Sequence, residues 1–181
     1  MTKKSDLIKR EPTEEQAKFC QDFLKEGSIA KRGMFDGNYY QQLFGLMAQV
    51  VVGDLLGCPR PKNTGEWDGG IDLIKDGKKI DVKTEIRNVP FNVLHFVHNV
   101  TPSQIGYGSS HYVFCSFNRA FGVVEICGYI EKQEFLKNAE YFKDGEIRVR
   151  TDGSTLIIRG TKGLYELKNR FLKPFKELMT K

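Results

Sequence analysis

The stretch Gly69-Gly-Ile-Asp-Leu-Ile-Lys-Asp-Gly-Lys-Lys-Ile-Asp-Val-Lys-Thr84 reads as two short strands around a tight turn. Asp76-Gly77 sets the register, because a two-residue type I′ loop needs positive φ at both central positions and Asp-Gly adopts it at low cost. Lys75 then pairs with Lys78, and counting outward sets Leu73 against Ile80, Asp72 against Asp81 and Ile71 against Val82. A four-residue loop leaves that register unchanged, whereas a three-residue loop shifts it. Alternation gives an apolar face of Ile71, Leu73, Ile80 and Val82 and a polar face of Asp72, Asp81 and Lys83. Two carboxylates directly opposite each other ionise together only if positive charge lies between them. Mg²⁺ would supply it, since it prefers oxygen ligands from one or two carboxylates, completed by water and phosphate. Lys83, on the same face two residues beyond Asp81, is placed to hold an attacking water or steady a phosphate. The same residues, with Glu85, equally suit the solvated side of an ordinary hairpin.

Upstream, Tyr40, Leu43, Phe44, Met47, Val50, Val51 and Leu55 recur at three- and four-residue steps. They predict a helix from about Tyr40 to Leu56, with Asn38 as N-cap and Gly57 as its stop. Gly45, Gln49 and Gly53 lie four apart on one stripe, so Gln49 projects from a strip short of flanking side chains. Either another segment packs closely there, with Gln49 bonded nearby, or a ligand approaches. Gln42, one heptad earlier, is the other polar candidate. Downstream, Asn88 to His98 is rich in strand formers, and Thr101-Pro102 suits the start of a short helix running towards Tyr107. His111 to Phe117 and Phe121 to Ile130 read as strands around the Asn118-Arg119-Ala120 turn.

Asp72, followed after eight residues by Asp81-Val82-Lys83 with a turn among them, resembles the D…(D/E)xK signature of the PD-(D/E)xK nuclease superfamily. Restriction endonucleases, Holliday-junction resolvases, recombination exonucleases and many phage nucleases belong to it. Ile71 stands where that signature has Pro, and Gln49 where the family's preceding helix often carries Glu. The resemblance covers roughly residues 35 to 130 and implies an α/β fold, a central mixed β-sheet flanked by helices with a restriction endonuclease-like core. It implies a metal-dependent DNA endonuclease, restriction-enzyme-like or junction-resolvase-like, using Mg²⁺ with Mn²⁺ able to substitute. On this reading Asp72, Asp81 and Lys83 are catalytic, and Asp72, Asp81 and the Val82 carbonyl hold the metal. Gln49 is a weak ligand or supports one, and Asp68 is a reserve for Asp72. Gln104 and Tyr107 match positions that some members direct towards the active site or the nucleic acid. The absent helix acid leaves a second reading, a non-catalytic DNA-binding or assembly protein retaining the fold.

Around this core, Thr13-Glu-Glu-Gln16 has capping-box spacing, with Ala17, Cys20, Phe23 and Leu24 along one helical face ending near Gly27. Such a helix covers the core or braces a homodimer. Glu146 to Arg150 and Thr155 to Arg159 predict a hairpin turning at Asp152-Gly153. Leu164, Leu167, Phe171 and Leu172 predict a last helix from about Gly163, bent or ended before Pro174. Lys162, Lys168, Arg170, Lys173, Lys176 and Lys181, with Lys31-Arg32 and Lys3-Lys4, form either the wet face of helices or a phosphate-binding groove whose affinity falls with salt. Lys168 and Arg170 are the candidates for nucleic-acid contact.

The 181 residues suit a single domain with a core of its own, the N-terminal helix and C-terminal hairpin and helix being additions. Hydrophobic residues at 40% and charged residues at 28% exclude wholesale disorder, and 28 basic against 23 acidic side chains leave +5, compatible with a DNA partner. No apolar run has the length of a bilayer span, and Met1-Thr-Lys-Lys-Ser-Asp6 is too polar for a secretory segment, so a cytoplasmic, intracellular protein without a membrane partner is expected. Cys20, Cys58, Cys115 and Cys127 lack CxxC spacing and read as reduced, mostly buried thiols, although Cys115 and Cys127 could face each other across neighbouring strands. His95 and His98, three apart on a strand, point to opposite faces and read as structural. The Walker loop, GxSxG elbow and dinucleotide glycine patterns are absent, which argues against the common NTPase, hydrolase and dehydrogenase classes.

Overall fold

A computed structural model of the chain describes residues 6–26, 37–62, 69–92, 95–150, 153–159 and 162–180. Asp68, Asp152, Lys3-Lys4, Lys31-Arg32 and Lys181 lie outside the described residues. β1 (Ile8–Arg10) leads into α1 (Glu14–Lys25), which opens on the expected capping box: Gln16 N–H donates to Thr13 Oγ1 and Thr13 N–H to Gln16 Oε1. Asn38 and Gln41 build the same device at the start of α2 (Tyr39–Leu56), and Gly57 at φ 68° ends that helix in the left-handed conformation glycine adopts freely.

β2 (Leu73–Lys75) and β3 (Lys78–Arg87) form the hairpin, with Asp76 at φ 47° and Gly77 at φ 74°. The chain continues through β4 (Val97–Val100), α3 (Pro102–Ile105), β5 (His111–Asn118), β6 (Val123–Glu131) and α4 (Lys132–Asn138). β7 (Glu140–Phe142), β8 (Ile147–Val149), β9 (Thr155–Ile157), β10 (Leu164–Lys168) and α5 (Lys176–Met179) complete it.

The architecture is mixed α/β. Five strands in the order β1-β6-β5-β3-β2 make the central sheet, with β3 and β5 parallel and the other neighbours antiparallel. Alternation along β3, β5 and β6 sends Ile80, Val82, Val113, Cys115, Phe117, Val124 and Ile126 to one face, where α2 packs on them and α1 covers α2 with Cys20, Phe23 and Leu24. Tyr112, Phe114, Cys127 and Ile130 face the other way, against Phe135 of α4 and a second sheet ordered β4-β10-β7. Asp81, Lys83, Glu85 and Arg87 share this second face. They are therefore roofed by protein: Asp81 is 3% exposed, so the row is no solvated hairpin side.

Two expectations change and one alternative closes. Asn88 to His98 supplies a strand only at Val97–Val100, and that strand joins the second sheet. Pro90 has no N–H to give a ladder, and Phe91 N–H is taken by the buried Glu125 carboxylate at 2.8 Å. The expected helix from Gly163 is β10, followed by a 3₁₀ turn at Asn169–Phe171 and a helix only after Pro174. β10 pairs on both sides, with β4 and with β7, and those two ladders override the helical spacing of its leucines. Cys115 and Cys127 do not face each other, because Phe114 pairs with Gly128 while Cys115 pairs with Ile126. Cys127 is the extra residue of a bulge and lies on the opposite face. All four cysteines are buried free thiols, and burial alone raises the Cys115 thiol far above its ordinary range.

Candidate active site

The hairpin register holds for Lys75–Lys78, Ile74–Lys79 and Leu73–Ile80, and then the ladder departs from the pattern counted outward from the turn. Asp72 N–H donates to Ile80 C=O at 2.9 Å, and the Asp72 carboxylate turns inward so that Oδ2 accepts from Val82 N–H at 2.6 Å. A side-chain oxygen thus stands where the next strand carbonyl would be. β3 directs its backbone alternately: Lys79 and Arg87 carbonyls accept from the β5 side, whereas Ile80 accepts from the β2 side. Val82 shares the parity of Ile80, so its carbonyl opens on the same edge as the Asp72 carboxylate. Asp81 points to the roofed face, where its Oδ2 lies 2.8 Å from Lys83 Nζ.

Helix α2 reaches this corner because Gly53 lets it lie close to β2. A Cβ there would stand 3.1 Å from Leu73 Cδ2. Gln49, one turn earlier, donates from Nε2 to Asp72 C=O at 3.2 Å. Gly45 has no such neighbour, and Gln42 turns away to Gly37 C=O. The glutamine therefore supports the acid through its backbone.

Tyr107 also arrives at the corner. Its ring takes the space that a side chain on Gly70 would need, and Gly108 N–H holds Gly69 C=O at 3.0 Å, so this segment lies against the chain entering Asp72. Gln104 does not reach in that way: its Oε1 accepts from Thr101 N–H and closes the first turn of α3. Lys168 and Arg170 lie elsewhere, beside β4.

Lys132 completes the corner, and no pattern in the sequence marks it. Its Nζ donates to Tyr107 C=O at 2.6 Å and its N–H to Ser110 C=O at 2.9 Å. Burial holds its ammonium below the ordinary lysine range, with the Asp81 charge working against that shift and Lys83 adding to it. The only hint available beforehand was its place immediately after the strand that pairs with β5.

Family models, curated proteins and solved structures gave no match to this chain.

Asp72, Asp81 and the Val82 carbonyl could offer two carboxylates and a carbonyl, an all-oxygen set of the kind that suits Mg²⁺ or Mn²⁺ better than the softer transition metals. No group of three or more His, Cys, Asp or Glu gathers for a metal among the described residues. His98 is no ligand: it is buried, stacked between Phe91 and Phe114 and bonded through Nε2 to Asn169 Oδ1. Burial lowers its pKa to about 4, so the imidazole is neutral. No helix among the described residues is long and apolar enough to cross a membrane.

Proposed function

We propose that the protein is a metal-dependent DNA endonuclease with a restriction endonuclease-like core, centred on Asp72, Asp81, Val82 and Lys83. The observation that carries this reading is the delivery of a second acid, Asp72, to the edge of β3 onto which Val82 opens, beside the Asp81-x-Lys83 step. Asp72, Asp81 and the Val82 carbonyl would hold a Mg²⁺ ion, which when bound supplies Lewis acidity at the scissile phosphate and lowers the pKa of water. Lys83 contributes a fixed cation, held by Asp81, that orients a water or a non-bridging phosphate oxygen as charge develops. Gln49 holds Asp72 through its main chain, and Lys132 adds a second ammonium whose depressed pKa reflects a partly dry site. Exclusion of water strengthens each of these interactions.

One observation favours a non-catalytic DNA-binding or assembly protein instead: α2 offers an amide where an acid would add charge, and the two acids already have protein donors in Val82 N–H and Lys83. Incubation of plasmid, linear and branched DNA with Mg²⁺, Mn²⁺ or EDTA separates the two readings. Cleavage that needs metal and is lost in Asp81→Asn and Lys83→Ala supports the nuclease. Tight binding without any cleavage supports the alternative.

A further inference from the structure

A second site opens at the other end of β3. Between the outer face of the β4-β10-β7 sheet and strand β8 lies a cleft of about 580 Å³, within the 300–1,000 Å³ typical of small-ligand sites. Arg87, six residues beyond Asp81 and hence about 20 Å along the strand, donates to Val97 C=O in its wall at 3.4 Å, and Glu85 feels the charges of Glu166 and Arg148 on its floor, so the cleft lies against the Glu85–Arg87 end of β3 and neither Asp81 nor Lys83 lines it.

Its floor is built from buried polar groups in fixed positions. Arg148 grips Glu166 in a two-pronged ion pair, Nε to one carboxylate oxygen and Nη2 to the other, and Glu166 is 7% exposed. Asn169 is tied down at both ends, donating to Phe96 C=O and accepting from His98. The walls are apolar and partly aromatic, with Phe96, Phe142 and Val149. Arg87 lies 4.0 Å above the Phe96 ring, so one stacked pair already stands at the wall. Arg148 and Glu166 cancel, and of the remaining charged groups Lys168 and Arg170 outnumber Glu140 at the rim. Such a cleft offers an aromatic surface, fixed hydrogen-bonding groups below it and a cationic lip. Stacking surfaces combined with cations are how proteins hold unpaired nucleotides.

We infer that this cleft binds a nucleoside phosphate, its base between the apolar walls and its phosphate at Lys168 and Arg170. The ligand is either a free nucleotide or one unit of a single-stranded nucleic acid. This assignment does not depend on hydrolysis at Asp81 and stands or falls separately.

The test is a titration of the ¹⁵N-labelled full chain in EDTA, followed by amide shifts, with thymidine monophosphate, a short oligothymidylate and inorganic phosphate as probes. The amides of Val97, Val149 and Asn169 are expected to move with both nucleotides. Lys168→Ala combined with Arg170→Ala should weaken binding about ten-fold or more. Lys176→Ala, on the distant helix α5, should change it less than about two-fold. Equal affinities for monophosphate and oligomer identify a free nucleotide, and a large preference for the oligomer identifies a strand. Inorganic phosphate moving the same amides with the same affinity, wild-type binding by the double variant, or no shift at these amides overturns the inference. Both substituted side chains are exposed, and the rest of the spectrum reports whether the fold is retained.

Discussion

Strand β3 spells an acid, a spacer and a base twice on one face: Asp81-Val82-Lys83 and Glu85-Ile86-Arg87. Each acid is ion-paired with the base two residues on. Their surroundings differ. The Glu85–Arg87 end is closed, because Arg87 also donates to Val97 C=O and lies over Phe96. At the Asp81–Lys83 end a separate segment brings Asp72 to Val82 N–H, α2 adds Gln49, and Lys132 stands near. The short spelling alone does not make a site. Both ends have a second acid within reach, Glu166 near Glu85 and Asp72 at the Asp81 end, and what sets the Asp81 end apart is that Asp72 accepts directly from β3 at Val82 N–H.

The largest effect should appear in catalysis. Asp81→Asn is expected to lower metal-dependent cleavage by about 10²-fold or more, whereas Glu85→Gln should leave it within about two-fold when both are assayed well below their unfolding temperatures. Equal losses would erase the distinction between the two ends.

Acidification gives the next effect. The folded-state pKa of His98, about 4, lies below the ordinary 6.5 because burial penalises the imidazolium. Between those values the unfolded chain binds more protons than the folded one, so stability is complete above pH 6.5 and falls as pH drops through the window. The loss approaches roughly 3 kcal/mol near pH 4, at about 1.4 kcal/mol per pKa unit. Urea denaturation across pH 4 to 7 measures it, and His98→Gln should flatten that part of the profile.

Breaking the ion pairs comes third. Arg87→Met leaves Glu85 in a site whose burial already raises its carboxyl above the usual range, and should cost about 2–3 kcal/mol, less than a fully buried pair because both partners retain some exposure. Lys83→Met should cost a similar amount in EDTA but recover in millimolar Mg²⁺, because in the proposed site a metal would replace the missing cation at the Asp81 end. Chemical denaturation of both variants with and without Mg²⁺ checks this. The smallest effect belongs to Gln49→Ala, about 1 kcal/mol for one neutral hydrogen bond. Gln49→Glu should instead tighten Mn²⁺ binding, read by calorimetry.

What the sequence disclosed was mostly local. Asp76-Gly77 carries its turn geometry in two residues, and α2 announces itself through periodicity and both caps, so the hairpin, its register to Leu73 and the helix that reaches it were legible. Leu164 to Lys168 was not, because spacing that fits a helix yields to pairing with β4 and β7, and neither partner is visible from the segment itself. Roofing of the Asp81 face depends on that same second sheet, which is why it read equally well as solvent-facing. Within the site, Asp81 and Lys83 fell where alternation put them. Asp72 adopts an in-plane position because it leaves the ladder, and Lys132 enters through a loop contact with no periodic signature.

Anomalous diffraction from crystals soaked in Mn²⁺ would show whether Asp72, Asp81 and the Val82 carbonyl hold one metal ion between them. The expected result is a single peak within about 2.0–2.4 Å of oxygens from all three residues, absent in Asp81→Asn. Crystals that take up no Mn²⁺ at this corner while Asp72 and Asp81 keep their bonds to Val82 N–H and Lys83 would contradict it.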